Sequence, residues 1–176
     1  MRLEIDGWAT GLRFSACHFL PGHRKCGRLH GHTYAVNVRL EGESGEDGYI
    51  ADFFEVKSVF RKIIDGLDHR VLVPARSRRV RVTVKGRVLR LSAGRKEYEF
   101  PRVDVALLEI PQVTAEELAS YILERAAPAV EKLARGRLRE LHVGLYEGIG
   151  QGAWAEKIFR ATGGSVASGG GAGRNQ

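Results

Sequence analysis

Several residue types are scarce in this chain, and each scarcity narrows what the protein can be. Cysteine occurs only at positions 17 and 26. Two thiols are too few for a disulfide framework, so both are considered first as metal ligands or nucleophiles. No apolar run approaches the roughly 20 residues that a membrane-spanning helix needs. Residues 1–6 have no apolar stretch typical of a secretory signal, so we expect a soluble, cytoplasmic protein without membrane partners.

Side-chain amides and methionine are also rare. Asn and Gln together occur five times and Met once, while Arg and Glu are abundant, a bias that hints at a thermophilic source. Hydrophobic residues make up 43% and charged residues 28%, which is ordinary for a globular protein and excludes a wholly disordered chain. With 176 residues, we expect one domain over residues 1–162 and a disordered Gly- and Ser-rich tail over residues 163–176.

Positive charge is concentrated in one segment. Residues 74–102 hold ten Lys or Arg against two Glu, whereas the net charge of the whole chain is +7, so the remainder is about neutral. Alternating Val and Arg around Lys85-Gly86 predict an inserted β-hairpin within residues 74–104. Such a hairpin is either a solvated ribbon or a surface that attracts phosphates. Its candidate phosphate contacts are Arg76, Arg78, Arg79, Arg81, Lys85, Arg87 and Arg90.

Hydrophobic periodicity predicts two strong strands and two helices. Asp52 and Thr114 stand at N-cap positions, and Thr114 with Glu117 has the form of a capping box. Pro128 is expected to kink or break the second helix. The order of strands, helix, hairpin, helix and strand indicates an α+β fold. The predicted elements are a strand over 33–40, a helix over 53–66, a helix over 115–133 and a strand over 138–147.

Candidate metal ligands and nucleophiles are crowded into residues 17–32. His30 and His32 project from the same face if they enter the strand that follows, because strand side chains alternate. With His18 they would form an open zinc site, whose fourth position is left for a substrate oxygen. A closed structural site using both cysteines and two histidines is the alternative, although it lacks the usual spacing of paired cysteines. The six residues are Cys17, His18, His23, Cys26, His30 and His32.

Five ordered motifs carry a family resemblance. Together they resemble the 6-pyruvoyl-tetrahydropterin synthase family, which also includes 6-carboxytetrahydropterin synthase, over nearly the whole chain apart from residues 74–104 and the tail. They are F-S-A-C-H with C-G-R-L-H-G-H (14–18 and 26–32), Y-I-A-D-F (49–53), L-D-H (67–69), T-A-E-E-L-A (114–119) and V-G-L-Y-E (143–147).

The resemblance implies a fold and an activity. The fold is the tunnelling fold, a four-stranded antiparallel sheet with two helices on one face, here with the inserted hairpin, assembled as a homo-oligomer, commonly a hexamer. The activity is that of a zinc-dependent lyase that converts 7,8-dihydroneopterin triphosphate to 6-carboxy-5,6,7,8-tetrahydropterin, with release of acetaldehyde and triphosphate, in queuosine or archaeosine precursor synthesis. The alternative is a 6-pyruvoyl-tetrahydropterin synthase, which eliminates triphosphate from the same substrate.

The resemblance also implies roles for individual residues. His18, His30 and His32 would bind zinc. Cys26 would be the catalytic thiol, with Asp68 and His69 as the proton-transfer pair. Glu147 would hold the guanidine-like edge of the pterin, helped by Thr114 and Glu116 from a neighbouring subunit.

Two departures and one rival function accompany this interpretation. Cys17 stands where the family more often has alanine, so we expect a second thiol close to the zinc, and Glu117 replaces the usual asparagine. The rival is a non-catalytic RNA-binding module that grips phosphates through the basic hairpin, although the hairpin has few aromatic residues for base stacking.

Overall fold

Residues 1–160, which the computed structural model describes, form an α+β fold around one mixed β-sheet. The tail expected over residues 163–176 lies outside the described residues. The helices are α1 (Gly7–Thr10), α2 (Phe53–Ile64) and α3 (Ala115–Ala134). The strands are β1 (Arg2–Ile5), β2 (Arg13–His18), β3 (His30–Gly42), β4 (Arg70–Pro74), β5 (Arg81–Lys85), β6 (Val88–Ala93), β7 (Lys96–Pro101), β8 (Val105–Leu108), β9 (Leu138–Glu147) and β10 (Gly152–Ile158).

The main sheet contains a four-stranded antiparallel unit that is extended on one side. Its strands follow the order β10-β9-β3-β2-β4-β8, and β1 pairs with the far end of β3. Among the first four strands in this order, each adjacent pair is antiparallel, as expected. The added strands β4 and β8 run parallel to β2 and to each other, so the complete sheet has seven strands rather than four.

The alternating strands turn one apolar face towards the two long helices. Tyr34, Val36 and Val38 of β3 are buried, and they share one hydrophobic cluster with buried residues of β9, α2 and α3. The side chain of Asp52 caps α2 by accepting hydrogen bonds from the first-turn backbone N–H groups, as the sequence predicts. Pro128 lies inside α3 without breaking it.

The basic insertion is a three-stranded sheet rather than a hairpin. In the chain, β5, β6 and β7 lie between β4 and β8, and they pair with one another in sequence order as antiparallel neighbours. They cover a small second core that includes Val73 and Val105 of the main sheet, Leu89 and Leu91 of the insertion, and Phe19. The insertion therefore packs onto the main sheet through apolar contacts.

Within residues 1–160, no helix has both the length and the apolar character required to cross a membrane.

Candidate active site

Three histidines come together where β2 and β3 pair, beside the loop that joins the two strands. His18 lies directly opposite His30 in the antiparallel register, and His32 lies opposite Ala16. Because side chains alternate along a strand, the three imidazoles project from the same face of the sheet. Their ring centroids are 4.5, 5.1 and 5.0 Å apart, and one nitrogen from each ring lies within 4.8 Å of the other two.

Backbone carbonyl groups orient two of these rings. Nδ1–H of His18 donates to the carbonyl oxygen of Val113 at 2.7 Å, and Nδ1–H of His30 donates to that of Arg28 at 2.7 Å. A carbonyl oxygen can only accept, so each Nδ1 carries the proton and each Nε2 keeps its lone pair. Metal-binding histidines are commonly held in this way, which fixes both their tautomer and their orientation.

His18 is also in the protonation state that a metal ligand requires. Burial lowers the pKa of His18 from its ordinary value of 6.5 to about 4; the hydrogen bond to Val113 opposes this decrease, and the neighbouring His30 and His32 add to it. The imidazole of His18 is therefore neutral at neutral pH, the form that binds a cation.

Three buried polar atoms at this end of the sheet have no hydrogen-bond partner among the described residues: Nε2 of His18, Nε2 of His32 and the hydroxyl of Tyr34. Unpaired buried polar atoms are rare and costly, and a cation between the rings would satisfy both nitrogens. Three imidazoles match the ligand set of an open zinc site. The residues present therefore fit a metal ion.

The carboxylate of Glu147 approaches the same centre from β9. Glu147 pairs with Tyr34 in the β3–β9 register, so its side chain shares the face of the histidines. Its two oxygens lie 3.9 Å from Nε2 of His18 and 4.0 Å from Nε2 of His32. Burial raises the pKa of Tyr34, and the charge of Glu147 raises it further, so the Tyr34 hydroxyl stays protonated.

Glu147 also lines a cavity of about 350 Å³ together with Thr114 and Glu116. Thr114 is the N-cap of α3 and accepts a hydrogen bond from the backbone N–H of Glu117 at 3.4 Å. That Thr114 and Glu116 reach Glu147 from a neighbouring subunit stays a prediction of the resemblance; within one chain, all three already line one cavity. The reason is topological, because α3 begins beside the end of β9.

Cys26 lies in the β2–β3 loop, residues 19–29, which folds into consecutive tight turns. The backbone N–H of Leu20 donates to the carbonyl oxygen of Cys26 at 2.7 Å, and that of Gly27 donates to the carbonyl oxygen of His23 at 3.0 Å. Nδ1 of His23 accepts from the backbone N–H of Cys26 at 2.9 Å. Position 27 requires glycine, because a Cβ there would lie 2.4 Å from the carbonyl oxygen of His23. The loop thus holds Cys26 partly buried.

Asp68 and His69 form a hydrogen-bonded pair at the start of β4. Nδ1 of His69 lies 2.8 Å from Asp68 Oδ2, while Asp68 Oδ1 accepts from the backbone N–H of Ser15 at 2.8 Å. Burial by itself would raise the pKa of Asp68, but the hydrogen bond from Ser15 and the contacts with His69 together lower it. His69 has a positive φ of 55°, and 83% of its side chain is exposed.

Through His69, this pair shares a cavity with one of the three imidazoles, His32, but is not bonded to Cys26 among the described residues. No hydrogen bond or ion pair joins Asp68 or His69 to Cys26 within residues 1–160. His69 lines a cavity of about 550 Å³ whose wall includes Cys17. Cys17 precedes His18 along β2, so its side chain points to the opposite face of the sheet from the three imidazoles. Cys17 therefore does not belong to the group of imidazole nitrogens that could hold a metal ion.

Two residues at the site received no role from the sequence. Tyr34 follows His32 by two positions in an alternating strand, so its place on the ligand face could have been predicted from that spacing. The role of His23 could not, because its hydrogen bond to Cys26 depends on the turns of the loop. Neither the hydrophobic pattern nor a known motif specifies those turns.

A second group of possible metal ligands, Glu41, Glu140 and His142, lies across β3 and β9. Nε2 of His142 lies 2.9 Å from a carboxylate oxygen of Glu140, and Glu41 is ion-paired with Arg2 at 3.1 Å. Because partners within the protein already compensate these charges, we interpret the group as ion pairs along β9 and between β1 and β3.

The chain is similar in sequence and in fold to several known proteins. Residues 9–157 match the family model described as 6-pyruvoyl tetrahydropterin synthase. A Methanocaldococcus jannaschii protein, provisionally named 6-carboxy-5,6,7,8-tetrahydropterin synthase, is 39% identical over 160 residues, which cover 90% of this chain and 98% of that protein. The Haemophilus influenzae 6-carboxy-5,6,7,8-tetrahydropterin synthase is 29% identical over 119 residues, 64% of this chain and 75% of that protein. A crystal structure of Plasmodium vivax 6-pyruvoyl tetrahydropterin synthase has a TM-score of 0.83 at 27% identity, covering 90% of this chain and 98% of that one. The α+β fold class expected from the sequence is confirmed.

Proposed function

The chain belongs to the 6-pyruvoyl tetrahydropterin synthase family, and from this premise we propose that it is a zinc-dependent lyase acting on 7,8-dihydroneopterin triphosphate. The family and the named relatives are pterin synthases, so the chain is an enzyme, a lyase of pterin synthesis. The proposed product is 6-carboxy-5,6,7,8-tetrahydropterin, formed with release of acetaldehyde and triphosphate. This product would feed deazapurine synthesis towards queuosine or archaeosine.

The choice of product rests on the relatives. The Methanocaldococcus jannaschii and Haemophilus influenzae proteins are both named for the 6-carboxy product, and the former is 39% identical to this chain. The Plasmodium vivax structure is named for the 6-pyruvoyl product and is 27% identical. The second reaction, elimination of triphosphate with the three-carbon side chain kept, is the alternative.

The observation that carries the proposal is that three histidines able to hold a metal ion lie beside a carboxylate that lines a cavity. Glu147 borders the imidazoles of His18 and His32 and also lines the cavity beside Thr114 and Glu116. Pterin presents two adjacent N–H donors, and one carboxylate can accept both in a bidentate pair. Zinc bound by the histidines would supply a Lewis acid for the hydroxyl oxygens of the substrate side chain.

Proton transfer is proposed for Cys26, Asp68 and His69. A positioned thiol can move protons as a general acid or base, and Cys26 has the cationic neighbours Arg24, Lys25 and Arg28 in its loop. Because no hydrogen bond or ion pair joins Cys26 to the Asp68–His69 pair within residues 1–160, we propose that a neighbouring copy supplies the pair in a homo-oligomer, a hexamer. The exposed imidazole of His69 is free to make that contact.

The first experiment incubates zinc-loaded protein with 7,8-dihydroneopterin triphosphate and identifies the products by mass spectrometry. We expect 6-carboxy-5,6,7,8-tetrahydropterin and acetaldehyde from the wild-type protein, and no turnover from Cys26→Ala. A product that keeps the three-carbon chain would replace the proposed reaction with the alternative. Absence of turnover in protein that binds one zinc per chain would contradict both reactions.

The second experiment tests the shared site. Cys26→Ala and His69→Ala are each expected to be inactive alone. Refolded together, they should regain about a quarter of the wild-type activity, because random assembly at each interface pairs one intact Cys26 with one intact His69 in about one site in four. Mixtures that stay inactive, with mixed oligomers verified by mass, would contradict a site built from two copies.

The rival function, RNA binding through the basic insertion, finds little support in its contacts. Arg76 is ion-paired with Glu109 at 3.3 Å, and Arg90 with Glu99 at 2.6 Å. RNA binding would require an affinity that falls steeply with salt and with Arg→Ala changes in the insertion. An RNA affinity that is unchanged by those Arg→Ala substitutions would exclude this alternative.

A further inference from the structure

The three-stranded insertion contacts the Cys26 loop on both sides of Cys26. Nζ of Lys96, at the start of β7, donates to the carbonyl oxygen of Gly27 at 2.5 Å. The guanidinium of Arg79 donates to the carbonyl oxygen of Pro21 at 3.2 Å. Two cations from the insertion therefore bind two backbone acceptors of the loop, one on each side of Cys26.

A third contact fixes the beginning of the loop. Phe19 directly follows the proposed ligand His18 and is 1% exposed. Its ring stacks on Tyr98 of β7, with centroids 5.5 Å apart and planes inclined by 27°. Phe19 also belongs to the small core that Leu89 and Leu91 of the insertion complete. The chain that leaves the metal-ligand strand is thus anchored in the apolar core of the insertion.

Glycine at position 22 gives the Arg79 side chain room. A Cβ on Gly22 would lie 2.4 Å from a terminal guanidinium nitrogen of Arg79, so a larger residue would displace that group. Gly22 has a positive φ of 88°, which disfavours other residues as well. The loop sequence is therefore adapted to the approach of the insertion.

The loop needs such support because it has little core of its own. Between Leu20 and Leu29, its residues are polar, charged, Gly, Pro or Cys, and its internal bonds are turns of the backbone. Segments with few buried apolar contacts open most easily. A catalytic thiol has to be held within about half an ångström of its productive position, so an unsupported loop would not suffice.

We propose that the insertion is a clamp that positions the Cys26 loop, with Lys96 and Arg79 as its positioning residues. This inference rests on the proposed function in one respect, the catalytic role of the Cys26 thiol. The clamp explains why a basic segment lies next to the candidate site without requiring that this segment bind a nucleic acid. The cations of the clamp bind backbone carbonyl groups of the protein itself.

The test compares three single variants and the double variant Lys96→Met, Arg79→Met of the full-length, zinc-loaded protein. Lys96→Met removes the bond to Gly27, and Lys96→Arg retains a donor at that position. Arg95→Met is the matched control, because it removes one positive charge from the adjacent position, which makes no hydrogen bond or ion pair within the described residues. Two quantities are measured: the rate at which iodoacetamide alkylates Cys26 relative to Cys17 in the same molecules, and the separate values of kcat and KM.

We expect Lys96→Met to raise the relative alkylation rate of Cys26 by about threefold or more, because the loop opens more often. It should lower kcat by about tenfold with KM within about twofold, the pattern of lost positioning rather than lost binding. Lys96→Arg should retain both wild-type values, and Arg95→Met should change neither. A general loss of structure would change the alkylation of both thiols alike.

Two results would overturn the clamp. The first is an unchanged Cys26-to-Cys17 alkylation ratio in the double variant Lys96→Met, Arg79→Met. The second is a raised KM with unchanged kcat in both Lys96→Met and Arg95→Met, which would show that the positive charge attracts the triphosphate. If wild-type protein has no turnover but the alkylation ratio follows the prediction, the proposed function fails while the clamp stands.

Discussion

Replacement of Glu147 by Gln tests the recognition of the pterin directly. The carboxylate is proposed to accept two N–H groups, and each charge-assisted bond contributes about 1.5–3 kcal/mol. Gln keeps one carbonyl oxygen but turns an NH₂ donor towards the second pterin N–H, so one bond is lost and the other becomes neutral. A net loss of about 2–4 kcal/mol corresponds to roughly a 30- to 1,000-fold decrease in kcat/KM.

The structure supplies a reason to measure metal content in the same experiment. The Glu147 oxygens lie 3.9 and 4.0 Å from Nε2 of His18 and His32, so this carboxylate is close enough to influence a bound cation. Steady-state kinetics with 7,8-dihydroneopterin triphosphate would be paired with zinc titration of Glu147→Gln. The control is Glu131→Gln, which removes an exposed carboxylate of α3 and should leave kcat/KM within about twofold.

The expected result is a large decrease in kcat/KM at unchanged zinc stoichiometry. The reasoning would be refuted if kcat/KM of Glu147→Gln stayed within threefold of wild type. If zinc affinity fell instead, the carboxylate would be a metal ligand rather than a pterin anchor. The two measurements therefore distinguish a role of Glu147 in binding the pterin from a role in binding the metal.

Three further predictions concern the metal centre and the packing around it. His30→Gln should lower bound zinc from one per chain to well below one after dialysis, measured by elemental analysis, because two histidines do not complete an open site. Metal-free protein should lose about 3 kcal/mol of unfolding free energy between pH 6.5 and pH 4, since the unfolded chain protonates His18 near 6.5 and the folded chain only near 4. Urea unfolding at both pH values, with His18→Gln as the control, would detect this loss. An equal change of unfolding free energy with pH in the two proteins would contradict it. Phe19→Ala should cost about 3–5 kcal/mol because that ring is buried, whereas Phe54→Ala, at a residue 77% exposed, should cost under about 0.5 kcal/mol in the same urea assay.

Local signals predicted the elements that hold the site. The alternation of residues 33–40 and the spacing of His30 and His32 follow from the two-residue repeat of a strand, which sets the face of a side chain whatever the strand pairs with. The helices predicted over 53–66 and 115–133 are observed as Phe53–Ile64 and Ala115–Ala134, because their caps are local interactions. Pro128, expected to kink or break the second helix, is held inside α3 with buried residues on both sides of it.

Pairing partners were beyond the reach of the sequence. Strands β4 and β8 are short and join the sheet in parallel, and such pairs form between segments far apart in the chain. The third strand of the insertion, Lys96–Pro101, has an alternation diluted by charge, and its inward residues Tyr98 and Phe100 find their partners only across the small core. For the same reason, the sequence did not place Lys96 beside Gly27, since that contact spans 69 residues.

The strand pairing also sets an order in which the site can be assembled as the chain folds. His18, His30 and His32 lie within fifteen consecutive residues of one β2–loop–β3 unit, whereas Glu147 follows His32 by 115 residues. The entropy lost on closing a chain segment rises with its length, and distant contacts form slowly. We therefore expect the imidazoles to meet while most of the chain is still open, and the carboxylate to arrive with β9. During synthesis, the ability to capture a metal ion would then precede the ability to recognise a substrate.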